Sequence, residues 1–318
     1  MKTTTFNKRN AIVFKHFNRK GYSLFSALGK VVLIGVLAVP TLAHAKAGGM
    51  AAVNEHNDAD SLSFGEQRID EVQVTGSRAP LTAQQSAKIV EVISRDDIRR
   101  AEAQTVNDIL KLATGVDVRQ RGGFGVQTDI SINGGTFDQI TLLLNGVSLT
   151  SPQTGHNAAD FPVSLDDIDH IEVIEGAASR VFGSAAFSGA INIVTVNAAK
   201  ATTADKEWTG WFRGEGGSFG SFGANAGVGY NDRRQNSAFD SYLSGGYTQS
   251  DGGTDNSDFK KRRGYYRGSY TSYYIDVNWQ AGISSQDYGA NTFYSARFPT
   301  QYEWTRRYIC SVSADSRR

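Results

Sequence analysis

The sequence of 318 residues contains a single cysteine, Cys310, so no internal disulfide can stabilise the fold, and no Cys or His spacing marks a structural zinc site. Its formal net charge is only +1, and no basic cluster coincides with a recognisable nucleic-acid-binding fold. The short run Lys260–Arg263 is interpreted as the end of a solvated loop. We therefore predict no nucleic-acid partner.

Signatures of catalysis are also missing. The segment Gly122–Gly125 has neither the Lys nor the strand-to-helix setting of a dinucleotide or phosphate-binding loop. The histidines are scattered, and the closeness of His156 to Ser151 and Asp160 along the chain does not make a catalytic triad. We predict that the protein is not an enzyme and uses no cofactor.

The first 45 residues have the anatomy of a signal peptide. Several Lys and Arg precede the apolar run Val31–Val39, and Ala43–Ala45 offers a small-residue cleavage site. The alternative is a membrane anchor, but this run is well short of the roughly 20 residues that a spanning helix needs. Residues 46–79 follow as a flexible tether, because a polar stretch of small residues cannot bury enough apolar surface to fold alone.

Residues 80–200 predict a small α+β domain. Its most informative stretch is Ile171–Thr195, in which two strands flank a turn of small residues. Ser94 and Thr105 are candidate helix caps, with the second helix ending near Gly115. Asn145-Gly146 after the strand Ile140–Leu144 predicts a tight turn.

Residues 201–318 have a different composition, since all four Trp and twelve of the 13 Tyr lie beyond residue 204. Apolar and polar residues alternate in 222–230, in 266–271 and in 273–283, which predicts five or six strands with one apolar and one polar face. Polar loops are predicted at 231–237 and 250–263. A water-soluble sandwich would show the same alternation.

Together these segments resemble the TonB-dependent outer-membrane receptors, over about residues 69–308 and most strongly over 130–195. The segments Leu144–Val147, Asp160–Pro162 and Ala290–Tyr294 resemble the cobalamin receptors among them. The resemblance implies an α+β plug domain followed by the first strands of an antiparallel transmembrane β-barrel, here incomplete. Because these receptors close a barrel of about 22 strands around the plug, the chain is expected to be truncated at its C-terminus.

The resemblance also implies partners and a location. The short extended segment before the plug is similar to a TonB box, which would add as a strand to a TonB-type energy-transducing protein. Its residues are Glu71, Val72, Gln73, Val74, Thr75 and Gly76. The alternative is that this segment is simply the first strand of the plug. The expected location is the outer membrane, where membrane lipid and the outer-membrane assembly machinery are further partners.

In the family two apical plug loops contact the ligand, which would be a bulky molecule such as cobalamin or a siderophore-like chelate. The corresponding residues here are Gln120, Arg121, Phe124, Gln127, Leu149, Ser151, Gln153, Thr154, His156 and Asn157. Ordinary surface loops are the alternative for any one of them. No metal site is predicted. Cobalamin receptors order similar loops with calcium, so the carboxylates Asp251, Asp255 and Asp258 are weak candidates, against a solvated loop without the spacing of an EF-hand.

Two positions depart from the family pattern. Asn133 and Glu175 stand where the family usually has arginines that pair with barrel carboxylates. The replacements remove bidentate donors and reverse one charge, so we expect a different contact to seat the plug. The predicted function is binding and import of the bulky ligand. The alternative is a truncated, non-transporting fragment that acts at most as a plug-containing interaction module.

Overall fold

The computed structural model describes residues 73–74, 81–82, 90–149, 159–176, 182–198 and 205–316, all within the compact unit Arg68–Arg318. The predicted signal peptide lies outside the described residues. In this part of the chain no helix is long and apolar enough to cross a membrane. In chain order the elements are β1 Gln73–Val74, β2 Leu81–Thr82, β3 Val90–Ile93, α1 Arg95–Arg100, α2 Val106–Leu110, β4 Val116–Gln120, β5 Thr128–Ile132, β6 Ile140–Leu144, β7 Val147–Ser148, β8 Ile168–Glu175, β9 Gly189–Thr195, β10 Lys206–Gly216, β11 Phe222–Arg234, β12 Ser237–Ser250, β13 Phe259–Ser272, β14 Ile275–Gly289 and β15 Tyr302–Ser316.

A five-stranded sheet in the order β3-β8-β9-β6-β7 forms the centre of the N-terminal domain. β6 and β9 pair in parallel, and the other neighbours pair antiparallel. β6, β8 and β9 are rich in Ile, Leu and Val and are mostly buried, as expected for strands covered on both faces. Ile109 and Leu110 of α2 are fully buried in the core beside this sheet. The predicted α+β domain is confirmed.

Both predicted helix starts are confirmed. Ser94 Oγ accepts a hydrogen bond from the Asp97 amide at 3.2 Å, while the Asp97 carboxylate accepts one from the Ser94 amide at 3.1 Å. Thr105 and Asp108 form the same reciprocal pair. α2 is shorter than predicted, because the chain tightens into i to i+3 hydrogen bonds after Leu110 instead of continuing to Gly115.

The predicted tight turn is confirmed at Asn145 and Gly146, which join β6 to β7. Their φ values of 50° and 78° are both in the left-handed region, which Asn and Gly adopt at the lowest cost. This conformation turns the chain directly back, so that Leu144 pairs with Val147.

β10 to β15 form a six-stranded antiparallel sheet in sequence order. Small and polar side chains such as Asn225, Ser284 and Gln286 are buried on the face toward the N-terminal domain. Large apolar side chains alternate with the inward-facing ones and are exposed: Trp208, Phe212, Val228, Leu243, Ile283 and Tyr308. A water-soluble sandwich would bury these apolar side chains, so the pattern is that of a membrane β-barrel wall. The predicted fold class is confirmed.

Two predicted loops are wrong in extent. β11 continues through Arg234 and β12 begins at Ser237, so the predicted loop 231–237 is mostly strand around a two-residue turn. β13 begins at Phe259, so the basic run Lys260–Arg263 lies within a strand and is not a loop end. The run has no apolar contrast between its alternate residues, and hydrophobic alternation is the signal by which a strand is recognised.

Candidate ligand-binding cavity

A cavity of about 800 Å³ opens at the end of the six-stranded sheet where the strand connections are long. It is lined by the loop between β4 and β5 and by the connections β10–β11, β12–β13 and β14–β15. Its aromatic lining residues are Phe124, Phe219, Phe222, Phe259, Tyr288 and Phe293. The lining is otherwise rich in Gly, Ser and Thr, with Arg121 and Glu215 as its charged members. A mostly apolar concavity with a few polar groups is typical of sites for small organic ligands.

Loop 121–127 joins β4 to β5 as a hairpin loop that is closed by two backbone hydrogen bonds. The Arg121 amide donates to the Gln127 carbonyl at 3.2 Å, and the Gly122 amide donates to the Val126 carbonyl at 3.3 Å. Phe124 and Gln127 have positive φ values of 55° and 46°, a conformation that costs free energy in residues other than Gly and is maintained by surrounding contacts. Phe124 stacks on Phe259 of β13, with ring centroids 4.7 Å apart. The aromatic ring therefore faces the cavity from a constrained backbone.

The same loop contacts loop 290–301, the connection between β14 and β15. Arg121 Nη1 donates to the Phe293 carbonyl at 2.9 Å, and its guanidinium lies 5.8 Å from the centre of the Tyr294 ring. Gln127 Nε2 donates to Glu303 Oε2 at 2.8 Å. Two loops far apart in sequence are thus joined beside the cavity.

Next to the cavity a buried ionic cluster joins the N-terminal domain to the sheet. Asp160 Oδ1 accepts hydrogen bonds from Lys261 Nζ at 2.9 Å, from Ser284 Oγ at 2.8 Å and from Gln286 Nε2. Burial alone would raise the pKa of Asp160, but the Lys261 charge and these hydrogen bonds hold its pKa below the ordinary value. The carboxylate is therefore retained as an anion with only 7 % of the residue exposed.

Three further contacts extend this interface. Tyr242 on β12 donates to Asp167 Oδ1 at 2.6 Å. Arg267 on β13 donates to the Thr195 carbonyl at 2.9 Å. Asn145 Nδ2 donates to Tyr265 and Gln280, at 2.7 and 2.8 Å. Each of these inward-facing side chains of the sheet thus has a partner at the end of a strand or in a turn of the N-terminal domain.

The N-terminal domain also contains a buried histidine. Burial would lower the pKa of His170, but hydrogen bonds to the carboxylates of Asp169 and Glu172, at 2.8 and 3.4 Å, raise it to about 9. Glu172 is itself fully buried and accepts a hydrogen bond from Asn192 at 3.0 Å. His170 is therefore charged at neutral pH inside the sheet.

The family model "TonB-dependent Receptor Plug Domain" matches residues 82–190. In sequence the chain is 35% identical over 130 residues to the Vitamin B12 transporter BtuB of Vibrio cholerae serotype O1, and 32% identical over 131 residues to that of Vibrio vulnificus. Residues 82–190 are a plug domain of the TonB-dependent receptor type. The N-terminal domain is this plug, and β10–β15 are strands of the barrel type.

Each of these sequence alignments covers 41% of this chain and 21% of the relative, so the chain spans about a fifth of the length of the relatives that it matches. Solved receptors show the same fold at lower identity. The ferric citrate transporter FecA matches with a TM-score of 0.57 and 18% identity, over 74% of this chain and 38% of that one. A mutant of the ferric enterobactin receptor PfeA from Pseudomonas aeruginosa matches with a TM-score of 0.54 and 18% identity, over 73% and 38%.

The structure separates the predicted ligand-contacting residues of the plug. Arg121 and Phe124 line the cavity. Gln127 supports loop 290–301, and Gln120 accepts a hydrogen bond from Lys111 at 3.2 Å outside the cavity. The prediction that Leu149 contacts the ligand is wrong, because Leu149 packs in the plug core with 4 % exposure. Ser151, Gln153, Thr154, His156 and Asn157 lie outside the described residues and stay predictions.

The TonB-box-like segment is described only at Gln73 and Val74. These residues form β1, which pairs antiparallel with Leu81–Thr82 of β2. Glu71, Val72, Thr75 and Gly76 lie outside the described residues. The role of the segment in partner binding stays a prediction.

The calcium candidates Asp251, Asp255 and Asp258 are all described. In the described part of the chain no three His, Cys, Asp or Glu side chains come together in a group that could hold a metal ion. Backbone carbonyls of loop 251–258 bond to neighbouring segments. The carbonyl of Asp255 accepts from Asn291 at 2.7 Å, and the carbonyl of Asp258 accepts from the Gly289 amide at 2.8 Å.

Asn133 and Glu175, the two departures from the family pattern, bond to each other. Asn133 Nδ2 donates to Glu175 Oε2 at 2.7 Å. Among the described residues, a buried ion pair between the plug and the sheet has its carboxylate, Asp160, on the plug and its ammonium, Lys261, on the sheet.

Sequence reasoning missed the cavity residues contributed by the strand connections. Phe219 and Phe293 come from two connections and Phe259 from the start of β13, and these segments are distant along the chain, so no local motif joins them. The enrichment of aromatic residues beyond residue 204 is the one sequence signal that points to them.

Proposed function

We propose that the chain is part of an outer-membrane receptor that binds a bulky organic ligand in the 800 Å³ cavity and imports it when a TonB-type partner pulls on Glu71–Gly76. The observation that carries the proposal is the position of the cavity, between a plug loop and the long connections of the sheet. Transmembrane barrels have short periplasmic turns and longer extracellular loops. The turns 235–236 and 273–274 have two residues each, which supports an extracellular position for the cavity at the opposite end.

The lining favours cobalamin over an anionic siderophore-like chelate. Its cation, Arg121, already bonds the Phe293 carbonyl, and its carboxylate, Glu215, pairs with Arg213 at 2.8 Å. The described lining therefore offers no surplus positive charge to a polyanionic chelate. Its aromatic rings and Gly-rich, Ser-rich edges suit a large ligand with both apolar faces and amide groups. The sequence relatives named above as vitamin B12 transporters support the same choice.

Membrane insertion follows from the exposed apolar face of β10–β15. We propose residues 1–45 as the signal peptide, 46–79 as the tether, 80–200 as the plug and 201–318 as barrel strands. Lipid would cover the outward Trp, Phe and Leu side chains, and the outer-membrane assembly machinery would insert the sheet.

Ligand binding can be tested on the full chain in detergent micelles. Cyanocobalamin affinity would be measured by equilibrium dialysis for the wild type and for Phe124→Ala. Because a buried Phe side chain contributes about 1.5–3 kcal/mol, we expect the variant to bind roughly tenfold or more weakly. Phe187→Ala is the matched control, since Phe187 is an exposed plug residue outside the cavity. Equal affinities of Phe124→Ala and the wild type would contradict the proposed site.

The proposed role of Glu71–Gly76 in transport has to be tested in cells. Deleting Val72–Thr75 should abolish cobalamin uptake by cells that have no other receptor, while cyanocobalamin binding by the purified protein stays unchanged. Uptake that survives the deletion would show that this segment does not transmit the pull. A chain that binds cobalamin and never imports it, with or without the segment, would match the non-transporting alternative.

A further inference from the structure

Glu303, the second residue of β15, gathers hydrogen bonds from three different parts of the molecule. Its Oε2 accepts from Gln127 Nε2 of the plug at 2.8 Å and from the Tyr288 hydroxyl of β14 at 2.6 Å. Its Oε1 accepts from the Tyr294 hydroxyl of loop 290–301 at 2.5 Å. A carboxylate is the only side chain that can accept on two oxygens at once without donating, which suits a position where three donors converge.

The partners of Glu303 determine how the cavity is bounded. Gln127 has a left-handed backbone conformation at the base of loop 121–127, and its side chain also donates to the Tyr294 hydroxyl at 2.5 Å. On the other side, Tyr294 follows Phe293, whose ring lines the cavity and lies 6.3 Å from the Tyr288 ring. The Arg121 contact to the Phe293 carbonyl joins the same two loops a second time.

We propose that Glu303 is a positioning residue for the ligand cavity: its carboxylate fixes loop 290–301 to plug loop 121–127, so that Phe293 forms part of the cavity lining only while the plug is seated. The consequence for release rests on the proposed function. When the plug loop moves away, Gln127 leaves the carboxylate and loop 290–301 loses its plug contacts at the same time. Displacement of the plug would then loosen the extracellular side of the cavity as well as open the path beneath it.

Hydrogen exchange on the full chain in detergent micelles, without ligand, tests the contact itself. Glu303→Gln leaves one acceptor oxygen for three donors, and Glu303→Ala leaves none. We expect amide exchange in residues 290–301 and 121–127 to become about tenfold faster in Glu303→Gln, and faster still in Glu303→Ala. Asp287→Asn is the matched control, because Asp287 lies beside this position on β14 but pairs with Arg262 at 3.6 Å on the other face of the sheet.

Unchanged exchange of both loops in both Glu303 variants would overturn the proposal. An equal increase throughout β11 and β12 would also overturn it, since that would show general loosening of the sheet. The second readout is cyanocobalamin release, which should be about tenfold faster in Glu303→Gln and unchanged in Asp287→Asn. Faster loop exchange without faster release would refute the role in the cavity lining. Failure of the wild type to bind cyanocobalamin would refute the proposed function and leave the exchange result as the test of the contact.

Discussion

Replacing Lys261 with methionine should strongly destabilise the seated plug. The substitution keeps most of the side-chain volume and removes the ammonium that lies 2.9 Å from Asp160 Oδ1. Asp160 would remain as a buried anion that only Ser284 and Gln286 bond, since its Oδ2 atom has no hydrogen-bond partner among the described residues. Breaking a buried ion pair by removing one partner costs about 3–5 kcal/mol. The charge of Arg307, which also acts on Asp160, places the expectation at the lower end.

The assay is a double-mutant cycle on the full chain in detergent micelles. Urea-dependent hydrogen exchange of amides in β6, β8 and β9 would report the free energy of plug opening for Lys261→Met, for Asp160→Asn and for the double variant. We expect the double variant to lose less stability than the sum of the two single variants, because neither charge is then buried alone. Lys260→Met is the control, since Lys260 is the exposed neighbour on the same strand.

The reasoning would be refuted if Lys261→Met cost less than about 1 kcal/mol, which is the range of an exposed ion pair. It would also be refuted if the losses of the two single variants simply added in the double variant. Either result would mean that water reaches Asp160 and screens its charge.

Three further predictions concern the plug. The pKa of His170, about 9, lies above its unfolded value near 6.5, so the stabilisation from the charged imidazole is complete below pH 6.5 and is lost as the pH rises through 9. Urea titration should therefore show the stability of the plug falling by up to about 3 kcal/mol over this pH range in the wild type. The same titration of His170→Gln should show no such fall. Thr105→Ala should cost about 1 kcal/mol by the same titration, because it removes a helix cap, and Thr105→Ser should restore most of it. Gly189→Ala should reduce stability by more than about 1 kcal/mol, since its Cβ would lie 2.5 Å from the Ile174 carbonyl oxygen, and an unchanged unfolding midpoint would contradict that contact.

The plug could be predicted largely from the sequence because its signals are local. The caps at Ser94 and Thr105 use residues three positions apart, and the turn at Asn145-Gly146 needs only two residues of the right type. The strand Ile140–Leu144 is apolar throughout because both of its faces are covered. Each of these features is recorded in residues that are neighbours in the chain.

The cavity and the plug contacts could not be predicted in the same way. Gln127 and Glu303 meet across 176 positions, and Asp160 and Lys261 across 101 positions. Such pairs depend on the register of the whole sheet against the plug, which no local pattern encodes. The basic run containing Lys261 was misread for the same reason: a charged strand face has no apolar contrast, and its burial becomes evident only once the plug carboxylate opposite it is known.

The buried Asp160–Lys261 contact bears on the order in which the proposed pull would act. A force applied at Glu71–Gly76 would reach β3 before the rest of the plug sheet, because β3 is its edge strand and pairs with β8 over only four residues. Asp160 lies farther along the chain, in a segment that ends at β8, and is bound to the sheet by an ion pair with little exposure to water. Peeling an edge strand breaks its hydrogen bonds one after another, whereas separating a buried ion pair exposes both charges in one step. We therefore expect the Asp160–Lys261 contact to resist the proposed pull more strongly than the edge of β3 does, and it lies next to the plug loop that lines the cavity.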